Sequence, residues 1–309
     1  MKEVIDAIDT AYGIYEKNQF QMPTRMQVEE DNNTLLLMPC STEESIGTKL
    51  VTVFPDNETV PTLHGLVVLN CSKTGEMTAI LDGSFLTGLR TGAIGGSAVR
   101  HLAHREAESI AVIGAGVQGL YQAIAACAER PITDIYIYTR TQEKVSSFTK
   151  ELRKWIGNDI HIHNTYSPED ALQHAEIVIT ATTSSTPVLS DDASLLKNKL
   201  FIGIGSFQPT MREFPRSLYT LADHIFIDTK DAILESGDIA TPLEKGWINQ
   251  DVIQPMSTYI SKHSPMPVKL SKEKSIIFKS TGMALFDVVV GNLIYKKAVE
   301  KNIGNQLTF

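Results

Sequence analysis

Cysteine is scarce in this chain: the three present, Cys40, Cys71 and Cys127, lie far apart with no CxxC spacing. An odd number at such intervals argues against a disulfide framework and against a structural zinc site, and all three read as small buried hydrophobes. A basic excess is lacking too. The 28 lysines and arginines are outnumbered by 36 aspartates and glutamates, for a formal charge of -8. No basic stripe is left to track a phosphate backbone, so nucleic acid is a poor partner. No apolar run reaches membrane-spanning length, and the start MKEVIDAIDTAYGIYEK is charged and amphipathic rather than a basic flank ahead of an apolar segment. A cytoplasmic protein with no membrane partner and no metal is expected. Internal repeats and low-complexity tracts are likewise absent.

What the chain does have is length and apolar material, 309 residues of which 42% are hydrophobic, enough for a sizeable core or two domains. Val4, Ile5, Ile8, Ala11 and Ile14 recur at helical spacing, predicting a first helix with one buried face. TLLLMP, IGTKLVTVF and GLVVLNCSKTGEMTAILDG then read as short strands, with Lys73-Thr74-Gly75 as a hairpin connection. An antiparallel or mixed sheet with its own core is expected there. Leu86 to Ala103 reads as a helix in spite of Gly92, Gly95 and Gly96. Each of these costs roughly 1 kcal/mol against alanine in an exposed helix. Their presence implies close approach by a neighbouring helix or by a ligand, and the pattern does not choose between them.

From Ser109 the pattern alternates. SIAVIGAG, DIYIYT, IHIHNT and EIVITAT are strands separated by helical segments, and KLFIGIGS and HIFIDT add two more apolar runs. Strands interleaved with helices predict a parallel sheet covered on both faces, with ligands beyond the carboxyl ends of its strands. KSIIFKSTGMALFDVVVGNLIYKKAVEKN reads as helix-like again, after a sheet that looks complete.

Gly114-Ala115-Gly116-Val117-Gln118-Gly119 follows the strand SIAVI and opens a helix. The first glycine permits a tight turn, the second lets backbone amides reach a pyrophosphate, and the third allows helix to pack on strand. The helix N-terminus then faces the anion. The second strand ends in Thr139-Arg140-Thr141, where an NAD-selective site holds a carboxylate for the ribose hydroxyls. Two hydroxyls and a guanidinium suit a 2′-phosphate instead, so NADP(H) is favoured, with NAD(H) open if Arg140 is simply a solvated residue. Ala181-Thr182-Thr183, after EIVIT, offers small hydroxyls to the cofactor, or is an ordinary polar loop.

Taken together the chain resembles the ornithine cyclodeaminase and mu-crystallin family, which includes archaeal-type alanine dehydrogenases and cyclic imine reductases. The resemblance rests on Met22-Pro23-Thr24-Arg25, Gly47-Thr48-Lys49, Leu86 to Gly92, the GAGVQG turn, Gly205 to Pro209 with Arg212-Glu213, Glu235 to Ile239, and Phe278 to Ala284, in family order. It implies that Arg25, Lys49 and Arg90 line a substrate pocket. Arg90 would hold a carboxylate, Lys49 would contact it or assist proton transfer, and Thr91 and Ser280 would help hold the cofactor. It also implies an α/β protein with a Rossmann-type dinucleotide-binding domain at 106-274. Residues 1-105 with 275-309 would form a mixed α/β substrate-binding and dimerisation domain, so a homodimer is expected. Family chains usually carry a further stretch, including a strand, ahead of the first helix; this sequence begins close to that helix, which weakens the dimer expectation without removing it.

One departure bears on chemistry. Cyclodeaminases of the family carry an aspartate where this chain has Phe207, in GSFQPTMRE. A phenyl ring neither accepts a proton nor pairs with an ammonium, which argues against ornithine cyclodeamination. The expected activity is therefore NAD(P)H-dependent reduction of a small carboxylate-bearing cyclic imine such as 1-pyrroline-2-carboxylate. The alternatives are ornithine cyclodeaminase, an alanine dehydrogenase-like enzyme and a non-catalytic protein that retains NADPH. In the favoured reaction Lys49 or water protonates the imine nitrogen, with donor and acceptor brought close together.

Overall fold

The computed structural model describes residues 1–262 and 273–307. Residues 263–272 and 308–309, which the expected domain ranges include, lie outside the described residues. The chain opens with helix α1 (Lys2–Glu16) and strands β1 (Phe20–Gln21), β2 (Met26–Glu30), β3 (Asn33–Thr42), β4 (Ser45–Val53), β5 (Leu63–Cys71) and β6 (Met77–Asp82). Helix α2 (Gly83–Leu102) leads into β7 (Ser109–Ile113), α3 (Val117–Glu129), β8 (Asp134–Tyr138), α4 (Lys144–Ile156), β9 (His161–Asn164), α5 (Pro168–His174) and β10 (Ile177–Thr180). Then come α6 (Ala193–Leu196), β11 (Leu200–Gly203), α7 (Arg216–Leu221), β12 (Ala222–Ile227), α8 (Ala232–Glu235) and α9 (Gly237–Glu244). A 3-10 turn (Gln250–Val252), strand β13 (Ile253–Pro255), α10 (Met256–Lys262), β14 (Ser275–Lys279) and α11 (Ala284–Glu300) complete the described elements.

Two compact units result. The first comprises Asp6–Arg90 and the chain from Met283 onward. Its six strands pair antiparallel throughout, with β1-β3-β4-β5-β6 in order and β2 also on β3. The hairpin between β5 and β6 turns where expected, with Gly75 at φ +76. Strand alternation buries Val51, Val67 and Leu69 on one face, which α11 covers; Tyr12 of α1 meets Phe286 edge-on at 5.1 Å. The other face is apolar yet open. Met26, Leu37, Leu50 and Leu66 stand in one register row across β2, β3, β4 and β5, and Met26, Leu50 and Leu66 are exposed, as is Ile80 on β6.

The second unit comprises Met1–Ile5 and Thr91–Gly282. Its sheet is wholly parallel, in the order β13-β12-β14-β11-β10-β7-β8-β9. Strands β7, β10, β11 and β14 are buried almost end to end, as a sheet covered on both faces requires. The run SIIFK, expected in a helix, is strand β14 instead, inserted between β11 and β12. A short apolar run has no periodicity to separate strand from buried helix, so its partner strands decide. The units accordingly part after Arg90 and Gly282 rather than at 105 and 274.

The α2 glycines are explained by a helix rather than by a ligand. A Cβ at Gly92 would fall 2.6 Å from Tyr121, and one at Gly95 would fall 1.7 Å from Gln122 Oε1, both on α3. Of the cysteines only Cys40 is fully buried; Cys71 and Cys127 are half-buried, since Cys71 ends β5 beside the hairpin turn and Cys127 is in the last turns of α3.

Candidate functional site

Two constellations stand out, one in each unit. In the parallel-sheet unit, strand order reverses between β7 and β10: the chain runs outward through β8 and β9 and returns to the other side of β7. The turn after β7 lies at that reversal. Gly114 adopts φ +112, and its N–H donates to the Tyr138 carbonyl at 2.8 Å. A side chain there would strike the Ala181 carbonyl at 2.6 Å, and one at Gly119 would strike the Gly114 carbonyl at 2.1 Å. Only glycine meets both demands. Gly116, by contrast, has nothing within 4 Å of where its Cβ would be, and it caps α3 with no side-chain hydrogen bond. The first amides of α3 therefore have no side-chain cap beneath an open position, an arrangement suited to a pyrophosphate.

The remaining residues expected at the cofactor gather around these strand ends with different exposures. Val117 is 62% exposed on the first turn of α3, and Gln118 Oε1 is buried with no hydrogen-bond partner. Thr139 is buried at the end of β8, whereas Arg140 and Thr141 are exposed. Thr91 is buried; its carbonyl accepts from Gln122 Nε2 at 2.7 Å and its hydroxyl has no partner. The orphaned Thr91 Oγ1 and Gln118 Oε1, with the open Gly116 corner, fit a bound dinucleotide.

The Ala181-Thr182-Thr183 loop is held from behind by carboxylates that sequence reasoning missed. Glu213, fully buried, accepts from Thr182 N at 2.7 Å, Thr182 Oγ1 at 2.8 Å, Gly205 N at 2.8 Å and Ser206 N at 3.2 Å. It thereby ties the ends of β10 and β11 together. Burial pushes the Glu213 carboxyl up, opposed by the Lys279 ammonium and assisted by Asp238. Asp238 in turn accepts from Glu213 N at 2.8 Å and Phe214 N at 3.0 Å, and its Oδ2 lies 3.7 Å from Lys279 Nζ. Ser280 donates to Asp228 at 2.6 Å, as do the amides of Thr281 and Gly282. The hydroxyls of Thr182 and Ser280 are thus already engaged as donors. Phe207 is 37% exposed on the loop that Glu213 anchors.

In the antiparallel-sheet unit, Lys49 on β4 and Arg90 on α2 converge on a residue not expected, Asp287 on α11. Lys49 Nζ lies 3.0 Å from Asp287 Oδ1 and 2.9 Å from Oδ2, and Arg90 Nε donates to Oδ1 at 3.0 Å. All three are buried. Burial brings the Lys49 ammonium down from 10.5 to about 8, against the pull of Asp287 and with help from the charges of Arg90 and, last, Arg25. Arg25 is half-buried, just ahead of β2. Cys40 also senses the cluster: burial, and then the Asp287 charge, push its thiol up to about 12. The available signal for Asp287 was a lone carboxylate inside the apolar helical run ALFDVVVG. Such a cluster provides a guanidinium and a lysine of lowered basicity for one anionic group.

No helix among the described residues is long and apolar enough to cross a membrane, and no group of three or more metal-ligating side chains gathers among them. The chain is 34% identical to a Delta(1)-pyrroline-2-carboxylate reductase of Bacillus thuringiensis subsp. konkukian, over 100% of this chain and 96% of the relative. Among solved structures, the Thermococcus litoralis Delta(1)-pyrroline-2-carboxylate reductase in complex with NADH and L-proline superposes with a TM-score of 0.91 at 28% identity, covering 99% of this chain and 96% of that one. An archaeal alanine dehydrogenase dimer with bound NAD gives 0.89 at 27% identity, covering 100% and 95%. The profile of the ornithine cyclodeaminase/mu-crystallin family matches residues 1–302, and the chain belongs to that family.

Proposed function

We propose that this chain is an NAD(P)H-dependent oxidoreductase that reduces the C=N bond of 1-pyrroline-2-carboxylate to give proline. The observation that carries the reading is the buried Lys49–Asp287–Arg90 cluster, which holds two cations against one carboxylate. The terminal nitrogens of Arg90 make no hydrogen bond among the described residues and suit a substrate carboxylate bidentately. Lys49, with its ammonium at about 8, holds a proton that a substrate nitrogen can take near neutral pH. A bound nicotinamide dinucleotide supplies the hydride that goes to the imine carbon, while the proton goes to its nitrogen.

Several finer readings support this activity. The Gly114 to Gly119 turn, with Val117, Gln118 and Thr91, holds the cofactor, and Ala181 to Thr183 and Ser280 shape its surroundings. Thr139, Arg140 and Thr141 favour NADP(H), because no carboxylate stands there and Arg140 is exposed to meet a 2′-phosphate. The parallel-sheet unit is the dinucleotide-binding domain; the antiparallel one binds substrate and dimerises. Its open row of Met26, Leu37, Leu50 and Leu66 is an apolar patch that a second copy covers, and α11 covers the opposite face. Phe207 leaves no carboxylate for the distal amine of ornithine, which weighs against cyclodeamination.

Purified protein given NADPH or NADH with 1-pyrroline-2-carboxylate, then with pyruvate plus ammonia, and separately NAD with ornithine, tests the reading. Proline formed in step with cofactor oxidation is the expected result. Faster consumption of pyruvate and ammonia would make it an alanine dehydrogenase. Ammonia and proline from ornithine, with no net change in cofactor, would overturn the proposal.

A further inference from the structure

Asp287 is a buried group with no step of its own in the proposed reaction, yet it contacts both Lys49 and Arg90, the residues that would hold substrate. Asp287 is fully buried in the first turn of α11, where its neighbours Phe286 and Val288 are also fully buried. A carboxylate there needs positive partners, and it has two: Lys49 from β4 and Arg90 from α2. Arg25 is a third cation nearby, half-buried and so more strongly screened, with the smallest influence on Lys49. Cys40 on β3 also feels the carboxylate, and its raised thiol stays neutral.

We propose that Asp287 is a positioning residue that sets anion selectivity: it cancels one of two buried cations, so the cluster carries one net positive charge and prefers a single carboxylate to a doubly charged anion. The inference rests on reading Lys49 and Arg90 as the carboxylate-binding pair. Two buried cations without Asp287 would repel each other and attract a second negative charge from the ligand. With Asp287 in place, one substrate carboxylate completes the neutralisation, and a dianion would leave a buried negative charge unpaired. The same carboxylate holds the Lys49 ammonium and the Arg90 side chain in a common orientation through a shared oxygen, Oδ1. It also favours the charged form of Lys49 against the desolvation that disfavours it.

Pyruvate and oxalate are planar anions of like size carrying one and two charges, and calorimetric titration of the full chain with each tests the proposal without any turnover. The unaltered chain is expected to bind pyruvate at least as tightly as oxalate. In Asp287→Asn the preference should swing toward oxalate by about tenfold or more, an order set by one close charge. Asp287→Glu, which keeps the charge, should restore the pyruvate preference. The pH at which pyruvate affinity falls as Lys49 loses its proton should move down by about one unit in Asp287→Asn, which a purely structural role would not produce. An unchanged ratio and an unchanged pH profile in Asp287→Asn would overturn the proposal. Should that variant not fold, the unaltered chain still decides: tighter binding of oxalate than of pyruvate, or an uncharged Asp287 carboxyl in carbon NMR at neutral pH, would overturn it. Failure of the chain to reduce 1-pyrroline-2-carboxylate would defeat the proposed reaction and leave this anion preference measurable.

Discussion

Each unit buries a lysine with carboxylate company, and the two clusters differ in what surrounds the charges. In the parallel-sheet unit Lys279 donates to the Gly203 carbonyl at 3.1 Å and faces Asp238, while Glu213 next to it receives hydrogen bonds from three backbone amides and one hydroxyl. Carboxylates outnumber cations there, and the protein's own amides make up the difference. In the antiparallel-sheet unit cations outnumber the carboxylate, and no hydrogen bond from a backbone amide reaches Asp287 among the described residues. A cluster saturated by backbone groups serves the fold, because the polypeptide itself completes it. One left with unused donors and a net charge suits an anion from outside.

That contrast can be broken most forcefully at Glu213. Glu213→Ala leaves the amides of Thr182, Gly205 and Ser206 buried without an acceptor, so a loss of about 3 to 5 kcal/mol in urea unfolding is expected. A change within experimental error would show that the first cluster is not the structural one. The second effect concerns Lys49 and pH. Its folded value of about 8 lies below the ordinary 10.5, so it opposes folding at pH below about 8, by roughly 3 kcal/mol. The penalty is relieved as pH rises from about 8 to 10.5, since the unfolded chain holds the extra proton in that window. Unfolding free energies measured across it should rise for the native chain and stay flatter for Lys49→Met. Equal slopes would mean that the amine is not desolvated.

Two smaller effects sharpen the functional side. Lys49→Ala is expected to lower turnover of the imine about 100-fold, the lower range for lost acid-base assistance, while dinucleotide affinity is unchanged. Equal loss in both would place Lys49 in the structural class with Glu213. Arg140→Ala, an exposed change, should weaken NADPH relative to NADH by about tenfold, corresponding to a charged hydrogen bond of about 1.5 kcal/mol, with thermal stability unmoved. A constant ratio of the two cofactors would remove the basis for preferring NADP(H).

Much of this was legible in the chain. The alternation from Ser109 onward announced a parallel sheet, and the GAGVQG turn declared its own geometry, because glycine is demanded by contacts within a few residues or with the neighbouring strand end. Lys49 and Arg90 stand out in the sequence through family resemblance rather than periodicity. Asp287 has no assigned role in the sequence, and Glu213 and Asp238 stand there only as parts of family motifs, because the partners that give each carboxylate its role come from distant segments. Strand β14 reads as helix for a related reason: SIIFK is apolar at its three central positions, too short a run to show a period, and its strand identity comes from lying between β11 and β12.

The sequence by itself determined most of the elements, the parallel character of the second sheet and the place of the glycine turn, all of which follow from local spacing and short-range sterics. Only the tertiary structure decided that residue 49, residue 90 and residue 287 share one buried charge cluster, and that Glu213 closes the ends of two strands. The physical reason is range. Hydrophobic periodicity acts over a few residues and is written in order along the chain, whereas buried charges are compensated by whichever segments the fold brings together, here 238 and 197 positions apart.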